Sequence, residues 1–357
     1  MSMENVKVAI WGFGAMGQGM ARMILGKTGV EITGICCRNA GRQGKGMYEI
    51  LGMEAKPGQA DIIVNNDVDK TIPTKSADVV LLCTDSFTKD AYEKIEVLAN
   101  KGLNVITIAE EMSWPKAQQP ELAEKIDDIA RKNGVSVLGT GINPGLVMDL
   151  LAVCLSACMV DVSKVMCKRV NSLSPFGPTV MREQGVGLSQ EEFEEGLKNH
   201  TVAGHVGFAE SVAMIAEGLG LEIDGFEQQM QPIITDIDRK SPYGFAAKGN
   251  LAGVNMTAQG TRNGEVVIDM YHPQQIEPEM VGVQTGDYIE LAGTPPVSMV
   301  IKPEIDGGLG TIAMAVNCIP HVINADPGLI TMLDIPVPRA IMGDFRKLIK
   351  DGKRVAG

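Results

Sequence analysis

The chain has 357 residues, 45% hydrophobic and 21% charged, an ordinary globular balance at a length that sets two domains as the starting expectation. A formal net charge of −12 argues against a nucleic-acid surface, which needs excess Lys and Arg, and points to small-molecule partners. No apolar run reaches the roughly 18 to 20 residues of a membrane helix; residues 146–160 come nearest and are broken by Asp149.

The opening MSMENVK lacks the basic start and apolar core of a secretory signal, so the expected location is the cytoplasm. Seven cysteines without a CxxC do not form a disulfide framework, and four scattered histidines give a metal site little to build on.

Residues 7–19, KVAIWGFGAMGQG, hold a short apolar run, then Gly12-Phe13-Gly14-Ala15-Met16-Gly17, then a helical pattern. Strand, glycine turn and helix in that order are the context of a dinucleotide-binding turn. Gly12 allows the tight turn, Gly14 lets backbone approach a pyrophosphate, and Gly17 lets the helix pack close to the strand. The phosphates are expected at the helix N-terminus, where unpaired N–H groups favour an anion. A second strand spans residues 30–36. Where NAD-specific folds commonly place an acid, about 20 residues past the glycines, the chain has Cys37-Arg38-Asn39, followed by Arg42 and Lys45. Cations without an acid suit a 2′-phosphate, so NADP(H) is favoured, NAD(H) is also admitted, and Arg38 and Arg42 join the cofactor residues.

Residues 77–83, ADVVLLC, read as a buried parallel strand, with Cys83, Thr84 and Asp85 at the carboxyl end where open α/β sheets bind ligands. A helix over 89–101 and a strand over 104–108 follow. That strand runs into Ala109-Glu110-Glu111-Met112-Ser113-Trp114-Pro115, which sets two adjacent carboxylates at a strand end, with Ala109 beside the cofactor. A helix over 120–133 and a strand over 135–138 complete the alternation, so residues 1–143 are expected to form an α/β, Rossmann-type doubly wound parallel sheet. The loop 139–145, GTGINPG, is expected to be a domain boundary and a cleft wall.

Residues 144–315 read as a substrate-binding and dimerisation α+β domain with an open mixed sheet. The pattern gives helices over 146–159, 190–199 and near 207–218, and strands over 164–170, 229–237, 252–261, 265–271 and 297–301. Residues 308–325 are apolar and helical in pattern. Residues 316–357 are expected to pack back on the first domain, with the basic tail 339–357 at the surface. Arg169, beside Lys168 at a strand end, presents a planar fork suited to a carboxylate. Arg182 lies in a glycine-rich polar stretch that could cover the site. His205 and Glu210 fall near one helix start, where capping or packing competes with substrate binding, and His272 before Pro273 reads as a turn residue.

Taken together, GFGAMG at 12–17, AEEMSWP at 109–115, GTGINPGLVMD at 139–149, GHVGFAES at 204–211 and NCIPHVINADPGL at 317–329 resemble the 2,4-diaminopentanoate dehydrogenases. The resemblance covers nearly the whole chain; the N-terminal half is also similar to dihydrodipicolinate reductase. It implies an enzyme of ornithine fermentation that oxidatively deaminates the C4 amine of 2,4-diaminopentanoate to 2-amino-4-oxopentanoate, releasing ammonia and reducing NAD(P)⁺. A hydride leaves C4 only after the ammonium has lost a proton, so a carboxylate near the nicotinamide is expected. Related native amine dehydrogenases use a glutamate of this kind; Glu110 and Glu111 are the candidates, with Glu111 taken first. Asn143 and Glu210 are expected to serve the second amine, Arg169 or Arg182 the carboxylate, and His205 to stand with them; Asn143 also borders the cofactor. Against the reductase alternative, no paired-histidine segment followed by a lysine occurs, His200 and His205 being the nearest pair in sequence. A non-catalytic NADP-binding regulator would keep the glycine turn but has no need of Glu110-Glu111. An open sheet commonly pairs with its copy, so a homodimer is expected.

Overall fold

The computed structural model describes residues 4–56 and 58–354, so the first three residues of the opening stretch and the last three of the basic tail lie outside the described residues. The chain divides into two compact units, Met1–Gly145 with Gly307–Gly357, and Leu146–Asp306. The first unit opens with five strands, β1 (Val6–Trp11), β2 (Val30–Cys36), β3 (Val79–Leu82), β4 (Asn104–Thr107) and β5 (Ser136–Gly139), all paired in parallel. Every residue of β3, β4 and β5 is buried, so these segments show no outward polar alternation: β3 is apolar throughout, and β4 and β5 have apolar centres with the buried polar residues Asn104, Thr107 and Ser136 at their ends, as fits a parallel sheet with helices on both faces. The helices Ala15–Leu25, Thr88–Asn100 and Pro120–Asn133 supply that cover. The last begins with a proline in its first turn and stops at Gly134 in the left-handed conformation (φ 68°).

The second unit is a six-stranded mixed sheet with a small ribbon. Its strands are β6 (Asp161–Ser172), β7 (Gly225–Ile234), β8 (Arg239–Lys240), β9 (Phe245–Ala246), β10 (Leu251–Arg262), β11 (Glu265–Gln275), β12 (Gly286–Thr294) and β13 (Val297–Ile301). The order in the large sheet is β13-β12-β6-β11-β10-β7, with β8 and β9 forming the ribbon. Only β6 and β11 run parallel; the other neighbours are antiparallel. The inner face packs on the helix Phe208–Leu219, since a Cβ on Gly260 of β10 would lie 3.0 Å from Val212 of that helix and 3.4 Å from Ile268 of β11. Strand β12 has no counterpart in the sequence reading, and the helix expected over 146–159 is confined to Leu150–Ser156, with Asp149 as its N-cap.

Gly307–Gly357 return to the first unit through helices Gly307–Asn317 and Ile319–Asn324 and strand β14 (Gly328–Ile330), which pairs in parallel with β5. The completed order is β14-β5-β4-β3-β1-β2. The chain leaves β1 for β2 on one side and resumes at β3 on the other, so the winding reverses between β1 and β3, where such sheets bind ligands at the carboxyl ends. Helix Gly307–Asn317 lies against helix Ala15–Leu25 so closely that a Cβ on Gly19 would stand 2.2 Å from Ile312 Cδ1. A domain boundary at 315 therefore falls inside a helix of the first unit. The tail is fastened there by Arg354, which donates to the buried Asp78 carboxylate and to the carbonyls of Glu4 and Asn5. Among the described residues, no helix is long and apolar enough to cross a membrane.

Candidate active site

The glycine turn sits where the winding reverses. Gly12 takes φ 103°, a conformation only glycine adopts freely, and a Cβ there would lie 2.6 Å from the carbonyl of Cys83 at the end of β3. A Cβ on Gly17 would lie 2.0 Å from the Gly12 carbonyl, so the helix packs on the turn only because that position is bare. Gly14 is the opposite case: its Cβ would meet nothing within 4 Å, leaving its backbone open to a ligand at the N-terminus of helix Ala15–Leu25. These positions, with Phe13, Ala15 and Met16, match what a dinucleotide pyrophosphate needs. Arg42 donates to the Phe13 carbonyl at 2.6 Å, so its guanidinium is folded onto the turn, whereas Arg38 is exposed. At the end of β2 stands Cys37, buried, where an acid would otherwise hold a ribose.

At the end of β3, Cys83 is held behind Gly12, and burial pushes its thiol up to about 12. Thr84 donates to Asp85, and Asp85 pairs with Lys94 at 2.9 Å, so that carboxylate is engaged within its own segment. Ala109 is the buried N-cap of a short 3-10 turn, Glu110–Ser113, at the end of β4. Glu111 in that turn is 5% exposed, and its Oε2 accepts the Thr88 N–H at 2.7 Å while its own N–H donates to the Ser86 carbonyl at 3.1 Å. Helix Thr88–Asn100 has Phe87 as N-cap, which offers no side-chain acceptor; Glu111 fills that role from the turn that follows β4. Its Oε1 takes no hydrogen bond among the described residues. Glu110 is half-buried at the first position of the turn. Gly139 makes this arrangement possible, since a Cβ there would lie 1.9 Å from the Met112 carbonyl.

The loop after β5 folds on itself, with a Cβ on Gly145 (φ 124°) falling 2.5 Å from the Gly141 nitrogen. Asn143 stands in this loop, half-buried, and its Nδ2 is buried without a hydrogen-bond partner.

In the second unit Arg169 is inside β6, not at a strand end: β6 continues to Ser172. It lies directly across from Asp287 of β12, donates to that carboxylate at 2.5 Å and to the Ile305 carbonyl at 2.6 Å, and is 2% exposed. A buried charge needs such a partner. The pair fixes the plane of the fork without using all its N–H groups. Lys168, one residue away, points to the opposite face, over the Tyr288 ring at 5.8 Å. His272 is not a turn residue but an interior residue of β11, 2% exposed. Its Nδ1 stands 2.9 Å from the Arg169 carbonyl, which can only accept, so the proton is on Nδ1. Burial, then His205 and Arg169, hold its pKa well below 6.5. His205 meets His272 edge to face at 4.9 Å between ring centroids. Glu210 is fully buried in the first turn of helix Phe208–Leu219, next to Ser211, whose hydroxyl donates to Asp149 at 2.8 Å. Arg182 is exposed on a short helix, Pro178–Glu183, and reaches Thr179 at 3.4 Å.

The first unit thus gathers Gly12 to Gly17, Arg42, Cys83, Thr84 and Glu111 at one end of its sheet, and the second gathers Arg169, His205 and His272 on one sheet face. Thr88 and Asp287, which hold Glu111 and Arg169, escape sequence reasoning. No local pattern marks either residue; strand pairing brings in Asp287, and the reach of the Glu111 side chain to a helix start brings in Thr88.

A family model described as the 2,4-diaminopentanoate dehydrogenase C-terminal domain matches residues 146–351, more than half of the chain. The chain is 55% identical over 354 residues to the 2,4-diaminopentanoate dehydrogenase of Acetoanaerobium sticklandii, covering 99% of each sequence. It is 20% identical over 356 residues to an amine dehydrogenase of Streptomyces virginiae, covering 94% of this chain and 98% of that one. Among solved structures, the amine dehydrogenase of Mycobacterium smegmatis shares the fold, with a TM-score of 0.82 at 24% identity over 95% of this chain and 98% of that one. The chain belongs to the 2,4-diaminopentanoate dehydrogenase family.

Proposed function

We propose that this protein catalyses the NAD(P)-dependent oxidative deamination of 2,4-diaminopentanoate at C4, yielding 2-amino-4-oxopentanoate and ammonia. The observation that carries the reading is the Glu111 carboxylate, one oxygen fixed on Thr88 N–H and the other uncommitted, at the carboxyl end of the sheet whose glycine turn fits a dinucleotide. Identity of 55% over nearly the full length of both chains supports the substrate.

When bound, the nicotinamide accepts the hydride. Glu111 Oε1 takes a proton from the C4 ammonium, which frees the lone pair that must become the C=N π bond as the hydride departs. Once that proton has passed to solvent, the same carboxylate stabilises the iminium cation, takes a proton from the water that adds to C4 and returns it to the departing nitrogen. Collapse breaks the C–N bond and releases ammonia, so substrate, oxidised cofactor and one water give ketone, reduced cofactor and ammonium, with one proton released. Arg169, held rigid by Asp287, serves the substrate carboxylate, with Arg182 as the exposed second cation; Glu210, His205 and Asn143 serve the second amine. Arg38 and Arg42 favour NADP(H) over NAD(H), with Asp85 and Ala109 closing the cofactor end.

The same reading takes a homodimer through the outer face of the second unit's sheet, where Met166, Tyr271 and Tyr288 lie in neighbouring strands, and a reducing compartment such as the cytoplasm, since all seven cysteines are free thiols. Purified protein with NADP⁺ and 2,4-diaminopentanoate is expected to form reduced cofactor and ammonia one for one. Cofactor binding without turnover on either NADP⁺ or NAD⁺ would overturn the proposal.

A further inference from the structure

The inner face of the second unit's sheet changes character along two adjacent strands. On β6 the inward residues run Val165, Cys167, then Arg169, Asn171; on β11 they run Ile268, Met270, then His272, Gln274. Beyond them the face is apolar again, with Leu173 and Ile276 in one cluster. Four polar side chains therefore form a block inside an otherwise apolar face. Two of the four are accounted for: Arg169 by Asp287 and Ile305, and His272 by the Arg169 carbonyl.

The other two are not. Asn171 and Gln274 are register partners across the β6/β11 pair, 6% and 5% exposed, and Asn171 Oδ1 and Gln274 Nε2 are both buried without a hydrogen-bond partner. Leaving a buried polar group unmet costs about 1–3 kcal/mol, and a sheet face that is apolar on either side has no packing need for two amides. Together they present a donor and an acceptor side by side, with no charge of their own. Arg169 beside them, its charge matched by Asp287, adds unused N–H donors for a ligand carboxylate but little net charge. A ligand fragment that matches must bring an acceptor and a donor on adjacent atoms. An α-amino-acid head does so, its carboxylate accepting and its ammonium donating. A plain alkyl amine, whose single nitrogen is the group oxidised, leaves both amides unmet.

We propose that Gln274 and Asn171 are specificity-determining residues that bind the α-amino-acid head of the substrate, Gln274 Nε2 donating to the carboxylate and Asn171 Oδ1 accepting from the α-ammonium. The assignment rests on the reading of the protein as a diamino-acid dehydrogenase. It explains how a family of amine oxidisers restricts itself to an amino acid: a site built to hydrogen-bond a substrate group rejects the analogue lacking it, because the buried amides are then left unmet.

The test uses the near-isosteric variants Gln274→Met and Asn171→Leu, with 2,4-diaminopentanoate and pentan-2-amine as paired substrates, each with NADP⁺. Both variants are expected to lower kcat/KM for 2,4-diaminopentanoate about 10- to 100-fold, chiefly through KM, while kcat/KM for pentan-2-amine stays level or rises. The melting temperature should hold or increase, since an unmet amide is replaced by an apolar group. Equal losses on both substrates, or no loss on either, would overturn the assignment while leaving the dehydrogenase reading standing. A wild-type enzyme that turns over neither substrate would overturn both.

Discussion

Glu111 Oε2 accepts the Thr88 N–H at 2.7 Å, so a single carboxylate both caps helix Thr88–Asn100 and is proposed to receive the substrate proton. The two duties separate by substitution. Glu111→Gln keeps an amide oxygen for Thr88, whereas Glu111→Ala leaves the first turn uncapped. Relative to Gln, the Ala variant is expected to lose about 1 kcal/mol of stability, read as a lower denaturation midpoint, while both variants lose turnover. Equal stability of the two would show that the cap contributes nothing.

The parallel half of the molecule was legible because β3, β4 and β5 are buried on both faces and so have apolar centres without polar alternation, and because the glycine spacing is set by one local turn. Strand β12 was not. Its outward positions Glu290, Ala292 and Thr294 dilute the pattern, and its pairing with β6 joins residues 118 apart, as Arg169 and Asp287 are. The clamp-like character of Arg169 could be read from residue type; the partner that fixes it could not. His272 misled because a proline next in line usually ends a strand. Here the β6/β11 register passes from Tyr271 opposite Lys168 to Gln274 opposite Asn171, so Pro273, which has no N–H, falls in the interruption. The Arg169 carbonyl is bonded there by the His272 ring. Gln274, two residues on, went unread for the same reason.

Cofactor preference is tested by the cations after β2. Arg42 spends one N–H on the Phe13 carbonyl, and Arg38 is exposed. Arg38→Ala with Arg42→Ala is expected to raise the KM for NADP⁺ at least 10-fold, on the scale of a charged hydrogen bond, and the KM for NAD⁺ far less. Equal effects on the two cofactors would remove these arginines from 2′-phosphate recognition.

His272 sets a pH dependence of stability. The folded protein keeps it neutral, because burial and the neighbouring His205 and Arg169 hold its pKa well below 6.5, while the unfolded chain protonates it near 6.5. The unfolded state therefore binds more protons than the native state below that pH. Stability is complete above about pH 6.5 and falls as pH drops below it, by up to about 1.4 kcal/mol per pH unit. His321, also held below 6.5 by burial, acts in the same direction, so His272→Gln should reduce the slope between about pH 6.5 and 5 without abolishing it. Urea denaturation across that range is the check, and an unchanged slope would place the sensitivity elsewhere.

The central claim is that Glu111 moves the proton that lets the amine be oxidised, and the most direct measurement compares kcat/KM for 2,4-diaminopentanoate in Glu111→Gln and Glu110→Gln at saturating NADP⁺. The account predicts a loss of about 10²- to 10⁴-fold, the usual scale of a general base, in Glu111→Gln with NADP⁺ affinity retained, and a small change in Glu110→Gln. A Glu111→Gln enzyme that turns over at the wild-type rate, or a loss confined to Glu110→Gln, would contradict it.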